Sequence, residues 1–390
     1  MRRLHLPVRP DWQQQADTFG FKFHTVHGEP YWDESVAYQF SLAEIENDLE
    51  DPTAELHAIC KEAVAEIVES EYWLKRFAIP QFAWELIRDS WRRHPISLYG
   101  RMDFSYHGSG NGPAKLLEYN ADTPTSLYEA GFFQWLWLEQ QLEHGVLPAD
   151  ADQFNLIQEL LINQFVLLGK HYAWPVLHMC CSPDSEEDRG TVQYLQDCAS
   201  QAGLENKFLF IDDIGQTADG RYTDLENEVI RACFKLYPWE MMLREDGARD
   251  LATADVYWLE PLWKAVLSNK AILAYLWQKH PGHPNLLPCF FGDDPAASLS
   301  GSWLKKPLFS REGANIAWLD DGRCTEQSSG PYGEEGYVVQ SAHPLPALEN
   351  QHMLVGSWVI GDRASGLTIR EDKSRITQDT SRFIPHFIAD

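Results

Sequence analysis

The sequence predicts a mixed fold, α+β with an α/β unit inside it, and three observations carry that expectation. Apolar residues recur at helical spacing over 41–93. A short apolar strand, a helix and a second strand follow one another over 172–213. Short strands flank glycine-bearing turns at 97–120, 303–319 and 352–372.

Taken in order, residues 1–40 are mixed, with extended character around Gly20–Tyr31. Ser41 and Glu44 have the spacing of a capping box, so a helix starts there. Pro52 opens a second helix running to Trp73, and a third covers 81–93. His57 and Cys60 share a face of the second helix and are read as packing residues. Leu98–Tyr106 and Ala114–Asn120 are strands, with His107–Pro113 as their turn. Helices follow over 127–144 and 151–170.

PVLHMCC, a helix stopped by Gly203, and KFLFIDD then form a βαβ unit with parallel strands. Glu186, Glu187 and Asp188 lie at the carboxyl end of its first strand, where α/β sheets place ligands. A solvated acidic helix start, favoured by the helix dipole, is an equal reading of the same acids. A loop or hairpin is expected over 213–223, and helix or strand broken at Pro238 over 224–245. Residues 257–279 are expected to be helical, with Lys270 near a helix start, and 292–302 a loop. SWLKKPLFSREGANIAWL reads as two strands around Ser310–Asn315. Its backbone N–H groups could cover phosphates, with Gly313 allowing close approach and Lys306 in reach; a plain surface turn is the commoner outcome. A strand over EGYVVQSAHPLP, two strands around Gly361 and Asp362, and a docked tail FIPHFIAD complete the chain.

Composition narrows the classes. With 390 residues, 44% hydrophobic and 23% charged, the chain can bury a large core and is not disordered. Its 58 acidic residues against 32 basic give a net charge of −26, which argues against nucleic-acid or anionic-membrane partners. The seven cysteines are odd in number and show no CxxC spacing, as expected of reduced thiols and not of a disulfide frame or a zinc site. The first residues lack a signal-peptide apolar core, and no window approaches eighteen apolar residues. A cytoplasmic protein is expected.

The hairpin 98–120 carries the chemistry. Residues two apart on a strand share a face, so Arg101 and Asp103 point together, as do Glu118 and Asn120. If the strands pair in that register, one face holds a guanidinium, two carboxylates and an amide oxygen. Hard oxygens in small number, beside a fixed cation, suit magnesium holding a polyphosphate, and arginine would stabilise charge on a transferring phosphoryl group. The alternative is a surface hairpin with a charged outer face and a simple ion pair.

These blocks resemble a known family. RMDFSY…KLLEYNADTPTSLYEAGFFQWLW, KLYPWE, LSNKAIL, KKPLFSREGANI and SWVIG…IRED are similar to the glutathionylspermidine synthase-like enzymes, and within them to the stand-alone bacterial acid–amine ligases without the amidase domain. The resemblance covers nearly the whole chain. It implies an ATP-grasp fold. The expected divisions are a mostly helical region (1–95), a metal- and phosphate-binding part of the core (96–145), a βαβ-containing, pre-ATP-grasp-like substrate domain (146–256), and the lid with the C-terminal core (257–390). It implies ATP and Mg²⁺, and amide formation between a small-molecule carboxylate and an amine through an acyl phosphate.

By the same resemblance Asp103, Glu118 and Asn120 are the magnesium ligands and Arg101 the charge stabiliser. Arg101, Met102, Asp103, Lys270, Lys306, Gly313, Gln340 and Arg370 serve ATP. Glu240 and the acids 186–188 are candidates for the general base. Thr123, Pro124 and Thr125 replace serines of the characterised synthetases, and Leu236 stands where they carry a hydroxyl residue, so the acid substrate stays open. A thiol peptide and a polyamine are the substrates the family suggests. A nucleotide-binding scaffold and a phosphotransferase that stops at a phosphorylated product are the rival readings.

Overall fold

The computed structural model describes residues 1–26, 28–93, 96–294, 300–378 and 381–390. At its centre is a six-stranded sheet. Its path runs Arg382–Ile384, Arg363–Asp372, Gln351–Ile360, Tyr99–Ser105 and Lys115–Asn120, with Ala347–Leu348 paired onto Gln351–Ile360. The two ten-residue strands 351–360 and 363–372 pair antiparallel around Gly361 and Asp362, as the sequence suggests. Strand 99–105 is buried at all seven positions because it lies inside this sheet and is covered on both faces.

A second sheet of five antiparallel strands, Cys289–Phe291, Tyr337–Ser341, Ser302–Pro307, Ala317–Asp320 and Arg323–Gln327, faces it. Leu304, Lys306 and Trp318 of this sheet line one cleft with Asp103, Glu118 and Leu354 of the first. The hairpin 302–320 is the one expected from the sequence around Ser310–Asn315, extended here by strand 323–327. Of the loop expected over 292–302, residues 295–299 lie outside the described residues.

The βαβ unit is a four-stranded parallel sheet, in the order Tyr257–Leu259, Ala232–Leu236, Leu177–Cys181, Asn206–Phe210. One of its strands corrects the sequence reading and another decides between two readings. Residues 257–259 are strand and not the start of a helix; only Ala271–Lys279 is α-helical in that stretch, after a short 3₁₀ turn. Three buried residues are too few to show a period. Residues 232–236 resolve the helix-or-strand choice as strand, and Pro238 starts the one-turn helix Trp239–Met242.

The capping box at Ser41 is present: Ser41 N donates to Glu44 Oε2 at 3.0 Å, and Glu44 N to Ser41 Oγ at 3.3 Å. Helix Asp51–Val68 stops short of Trp73, because Ser70 breaks it and caps Glu71–Arg76. His57 and Cys60 are buried packing residues, His57 bonded to the Tyr119 hydroxyl at 2.8 Å. The N-terminal region is less purely helical than expected. Strands Arg2–His5 and Val36–Phe40 form a three-stranded sheet with the tail strand His386–Ile388, which docks there. Among the described residues no helix is long and apolar enough to cross a membrane.

Candidate functional site: an acid and arginine cluster between two sheets

The register of the first hairpin puts Arg101 opposite Asn120 and Asp103 opposite Glu118. The four side chains therefore share a face, the one turned to the five-stranded sheet. Arg101 grips Asp103 with two bonds, Nε to Oδ1 at 2.7 Å and Nη2 to Oδ2 at 3.0 Å, and its Nη1 donates to the Thr125 carbonyl at 2.6 Å. Its guanidinium lies 5.7 Å over the Trp358 ring. Gly356 on the neighbouring strand makes the room: a Cβ there would sit 2.7 Å from Arg101 Cδ. Asn120 Nδ2 donates to Asp103 Oδ2 at 3.1 Å and to Glu118 Oε1 at 3.0 Å, so it joins the two acids.

The facing elements supply cations. Lys270, at the N-cap of helix Ala271–Lys279, places Nζ 2.9 Å from Glu118 Oε2 and bonds the Ser310 carbonyl at 2.5 Å. Lys306 Nζ crosses to the Leu117 carbonyl at 2.9 Å and to Gln340 Oε1 at 2.7 Å, while Gln340 Nε2 donates to the Leu116 carbonyl at 3.1 Å. Arg370 reaches Ser126 Oγ at 3.0 Å and the carbonyls of Ser381 and Gln378. Met102 points the other way: its side chain is fully buried in the core, so only its backbone is on offer to a ligand.

Charge states follow from these neighbours. Burial works to raise the Glu118 carboxyl, but Lys270 and Lys306 overcome it and hold the group well below the usual carboxylate range. Burial raises Asp103, against the pull of Arg101. Burial also pushes Lys306 down to about 8, with Glu118 opposing.

The turn 310–315 closes the cleft. Glu312, Gly313 and Asn315 all have left-handed φ, of 52°, 71° and 54°. At Gly313 a Cβ would come 2.5 Å from the Thr377 carbonyl oxygen, so the turn can seat on residues 376–377 only with glycine there. Arg311 anchors it, donating to Thr123 Oγ1 at 2.5 Å and to the Thr123 carbonyl at 3.1 Å, with Glu240 Oε1 at 3.5 Å.

Sequence reasoning missed Arg311, although it stands beside Gly313 in the same block. It also left open which of the acids 186–188 faces the cleft. Ser185 caps helix Glu186–Gln201 and Glu186 is exposed, as a solvated helix start requires. Glu187, in contrast, lines the cleft with Arg101, Thr125 and Arg370. Asp188 is pushed up to about 7 by burial and by Glu187. Lys235, in KLYPWE, is fully buried and bonds Asp122 Oδ1 at 2.9 Å, which ties the Asn120–Thr125 loop to the parallel sheet.

The donor set also fits a divalent cation. Two carboxylates and an amide converge, and rotating the Asn120 amide by half a turn would exchange its nitrogen for the oxygen at the same place. All three are hard oxygen donors, with Arg101 2.7 Å from Asp103 and Lys270 2.9 Å from Glu118.

Residues 3–389 match the family model described as "Glutathionylspermidine synthase preATP-grasp". A Haemophilus influenzae protein described as "Putative acid–amine ligase" is 40% identical over 98% of both chains. The trypanothione synthetase of Crithidia fasciculata is 29% identical over 84% of this chain, and the bifunctional glutathionylspermidine synthetase/amidase of Escherichia coli is 28% identical over 96%. This chain spans 53% and 63% of the lengths of those two. A solved structure, a glutathione synthetase-like effector from Globodera pallida, superposes with a TM-score of 0.55 at 9% identity over 98% of both chains, which is a likeness of fold. The chain belongs to the glutathionylspermidine synthase preATP-grasp family and is an enzyme of the ligase class its relatives are named for.

Proposed function

We propose that the chain is an ATP- and magnesium-dependent acid–amine ligase on an ATP-grasp scaffold. It would phosphorylate a small-molecule carboxylate with the γ-phosphoryl group of ATP, then let an amine displace the phosphate to give an amide, ADP and phosphate. One observation carries this: Arg101, Asp103, Glu118 and Asn120 meet on one strand face, with Lys270 and Lys306 brought to them from the opposite wall.

Phosphoryl transfer asks a protein for positioning and charge neutralisation more than for covalent help. Arg101 is buried and gripped by Asp103, so its donors are fixed before any substrate arrives and cost no reorganisation. Lys270 and Lys306 would bind the nucleotide's phosphates, and Gln340 holds Lys306 in place. The base would lie in the cleft walled by Leu304, Trp318 and Leu354. The Gly313 turn would cover the phosphates and keep water from the acyl phosphate. Asp103, Glu118 and Asn120 would hold the magnesium, which when bound neutralises charge on phosphate oxygens. Arg370, beside Thr125 and Ser126, is the second phosphate-side arginine.

The acid partner is a carboxylate and the nucleophile an amine; a thiol peptide and a polyamine are the classes the relatives' names suggest. Thr123, Pro124 and Thr125 at the acid side, and Leu236 beside Lys235, support an acid substrate that differs from theirs. The proposed division keeps a mostly helical region at 1–95, the metal- and phosphate-binding part at 96–145, the substrate domain at 146–256 and the lid with the C-terminal core at 257–390.

The test is incubation with ATP, magnesium and mixed acids and amines, following ADP and new amide masses. Substrate-dependent amide is the expected result. ADP with a stable phosphorylated compound, or nucleotide binding with no ADP released, would overturn it in favour of a phosphotransferase or a scaffold.

A further inference from the structure

Behind the cleft lies a second acid group that the roles above leave unused. Glu129 opens the helical segment Glu129–Phe133 and is fully buried. Its Oε1 accepts a hydrogen bond from the Tyr31 hydroxyl at 2.5 Å. Its Oε2 is buried with no hydrogen-bond partner among the described residues. Glu187, which lines the cleft itself, has a buried Oε1 in the same condition. The two are neighbours electrostatically: of all charged groups, Glu187 acts most strongly on Glu129. The Tyr31 hydroxyl also lies 3.0 Å from Ser126 Oγ, which accepts from Arg370 Nη1 at 3.0 Å.

The chain of Tyr31, Ser126 and Arg370 thus joins Glu129 to the cleft that Glu187 lines. Buried polar atoms nearly always find partners, so an orphaned oxygen on each acid needs a reason. Two buried carboxyls that feel each other's charge avoid the repulsion of two anions when one of them stays protonated. The surroundings decide where it rests. Glu187 faces Arg370 and Arg101 across the cleft that Thr125 also lines, and has Glu312 as a like charge. Asp188 is its neighbour on the helix. Glu129 faces Tyr31, Arg370 and Glu187, and burial pushes it up to about 8, so at neutral pH it is the protonated member. Burial raises Glu187 too, but two arginines oppose it.

The geometry points to Glu187 as the group that takes the proton from the attacking amine, with Glu129 holding the pair's resting proton so that Glu187 meets the substrate ionised. This rests on the ligase reading and narrows its candidate bases, Glu240 and the acids 186–188, to one. The step balances. An ammonium R–NH₃⁺ gives one proton to the Glu187 carboxylate. The freed lone pair forms the C–N bond as the bond from the acyl carbon to phosphate oxygen breaks. The nitrogen's second proton leaves on the phosphate, as HPO₄²⁻. Glu187 touches the reacting amine and is catalytic; Glu129 acts through it and is a positioning residue.

The experiment compares two nucleophiles in the full chain, with glutathione as the acid or with the acid that the mixed screen selects. One nucleophile is a primary amine, charged at neutral pH. The other is hydroxylamine, largely uncharged there, which traps acyl phosphates as hydroxamates without a base. Glu187→Gln is expected to lower the ratio of amide to hydroxamate by roughly 100-fold or more, the usual weight of a general base. Glu129→Gln keeps the size of the side chain and cannot titrate, so the pH profile of the amide-to-hydroxamate ratio, in which the Lys306 titration cancels because it acts on both products, should lose an inflection near 8. If Glu129→Gln fails to fold, Tyr31→Phe serves: the Tyr31 hydrogen bond lowers Glu129, so its loss should move the inflection upward.

An unchanged ratio in Glu187→Gln would overturn the proposal. So would an inflection that persists in Glu129→Gln or stays put in Tyr31→Phe. An unaltered protein that releases no ADP and forms no hydroxamate would overturn the ligase reading and this one with it, which keeps the two failures apart.

Discussion

Two pairs of carboxylates stand beside the same cleft, and they are built oppositely. Asp103 and Glu118 are each matched by a cation, Arg101 at 2.7 Å and Lys270 at 2.9 Å, and are bridged by Asn120. Glu129 has Glu187 as its leading like charge, and each keeps a buried oxygen with no partner among the described residues. The first arrangement fixes charge, as binding cations and phosphates demands. The second leaves charge adjustable, as moving protons demands. Burial alone distinguishes neither, because the interior raises carboxyls in both places; the neighbours decide.

The largest expected effect falls on the fixed pair. Arg101→Ala removes donors pre-aimed at the cleft and leaves Asp103 buried without its counter-ion. ADP formation should fall by roughly 100- to 1,000-fold or more, the scale of losing one preorganised donor. Melting and circular dichroism check that the fold survives, and turnover near the unaltered rate would remove Arg101 from the reaction. The difference between the pairs predicts that this variant loses hydroxamate and amide formation together, whereas Glu187→Gln separates them.

Next in size is the pH dependence of nucleotide binding. Lys306, pushed down to about 8, loses its charge in the free protein as pH rises through that value. Bound phosphates favour the charged form. ATP affinity should therefore be constant below about pH 8 and fall by up to about tenfold per pH unit above it, since one proton is taken up on binding. Lys306→Met should bind more weakly at every pH and lose the dependence. Calorimetric titration between pH 7 and 9.5 decides this; an identical slope in both proteins would assign the dependence elsewhere. The sign for stability is separate. The folded value lies below the unfolded one, so the unfolded chain binds more protons above pH 8, and Lys306 becomes less costly to the fold as pH rises toward its ordinary range.

The two pairs also differ in how far the sequence disclosed them. Arg101, Asp103, Glu118 and Asn120 sit on two strands joined by one short turn, so alternation and turn chemistry suffice to put them on one face. Lys306 and Gly313 belong to another such hairpin. Glu129 and Glu187 lie 58 residues apart in number, on separate helical elements, and meet Tyr31 from a third stretch. No local period encodes that meeting. The sequence offers Glu187 only as one of three acids at a helix start, and Glu129 only as a lone acid in the apolar run SLYEAGFFQWLW. The same limit hid the sheet made by residues 2–5, 36–40 and 386–388, whose strands are paired across the whole chain. It hid strand 257–259 too, which is strand because a neighbour at 232–234 pairs with it, not because of its own residues.

The smallest effect sharpens the contrast without any substrate. Glu129 is raised to about 8 in the fold from an ordinary 4.5. Between those values the unfolded chain has released its proton and the folded chain keeps it. The sign is then fixed: stability is lost as pH rises from about 4.5 to about 8, and is level beyond. Glu129→Gln has no proton to keep, so its stability relative to the unaltered protein should improve across that window, by at most about 1.4 kcal/mol per pH unit. Glu118 is depressed by Lys270 and Lys306, so its contribution runs the other way, present above about 4.5 and lost as pH falls. Denaturant midpoints of Glu129→Gln and Glu118→Gln, each followed against the unaltered protein from about pH 2.5 to 8.5, should therefore diverge in different pH ranges, above about 4.5 for the first and below it for the second. Parallel curves for the two would mean that both pairs hold their charge in the same way, and the division of labour between them would fall.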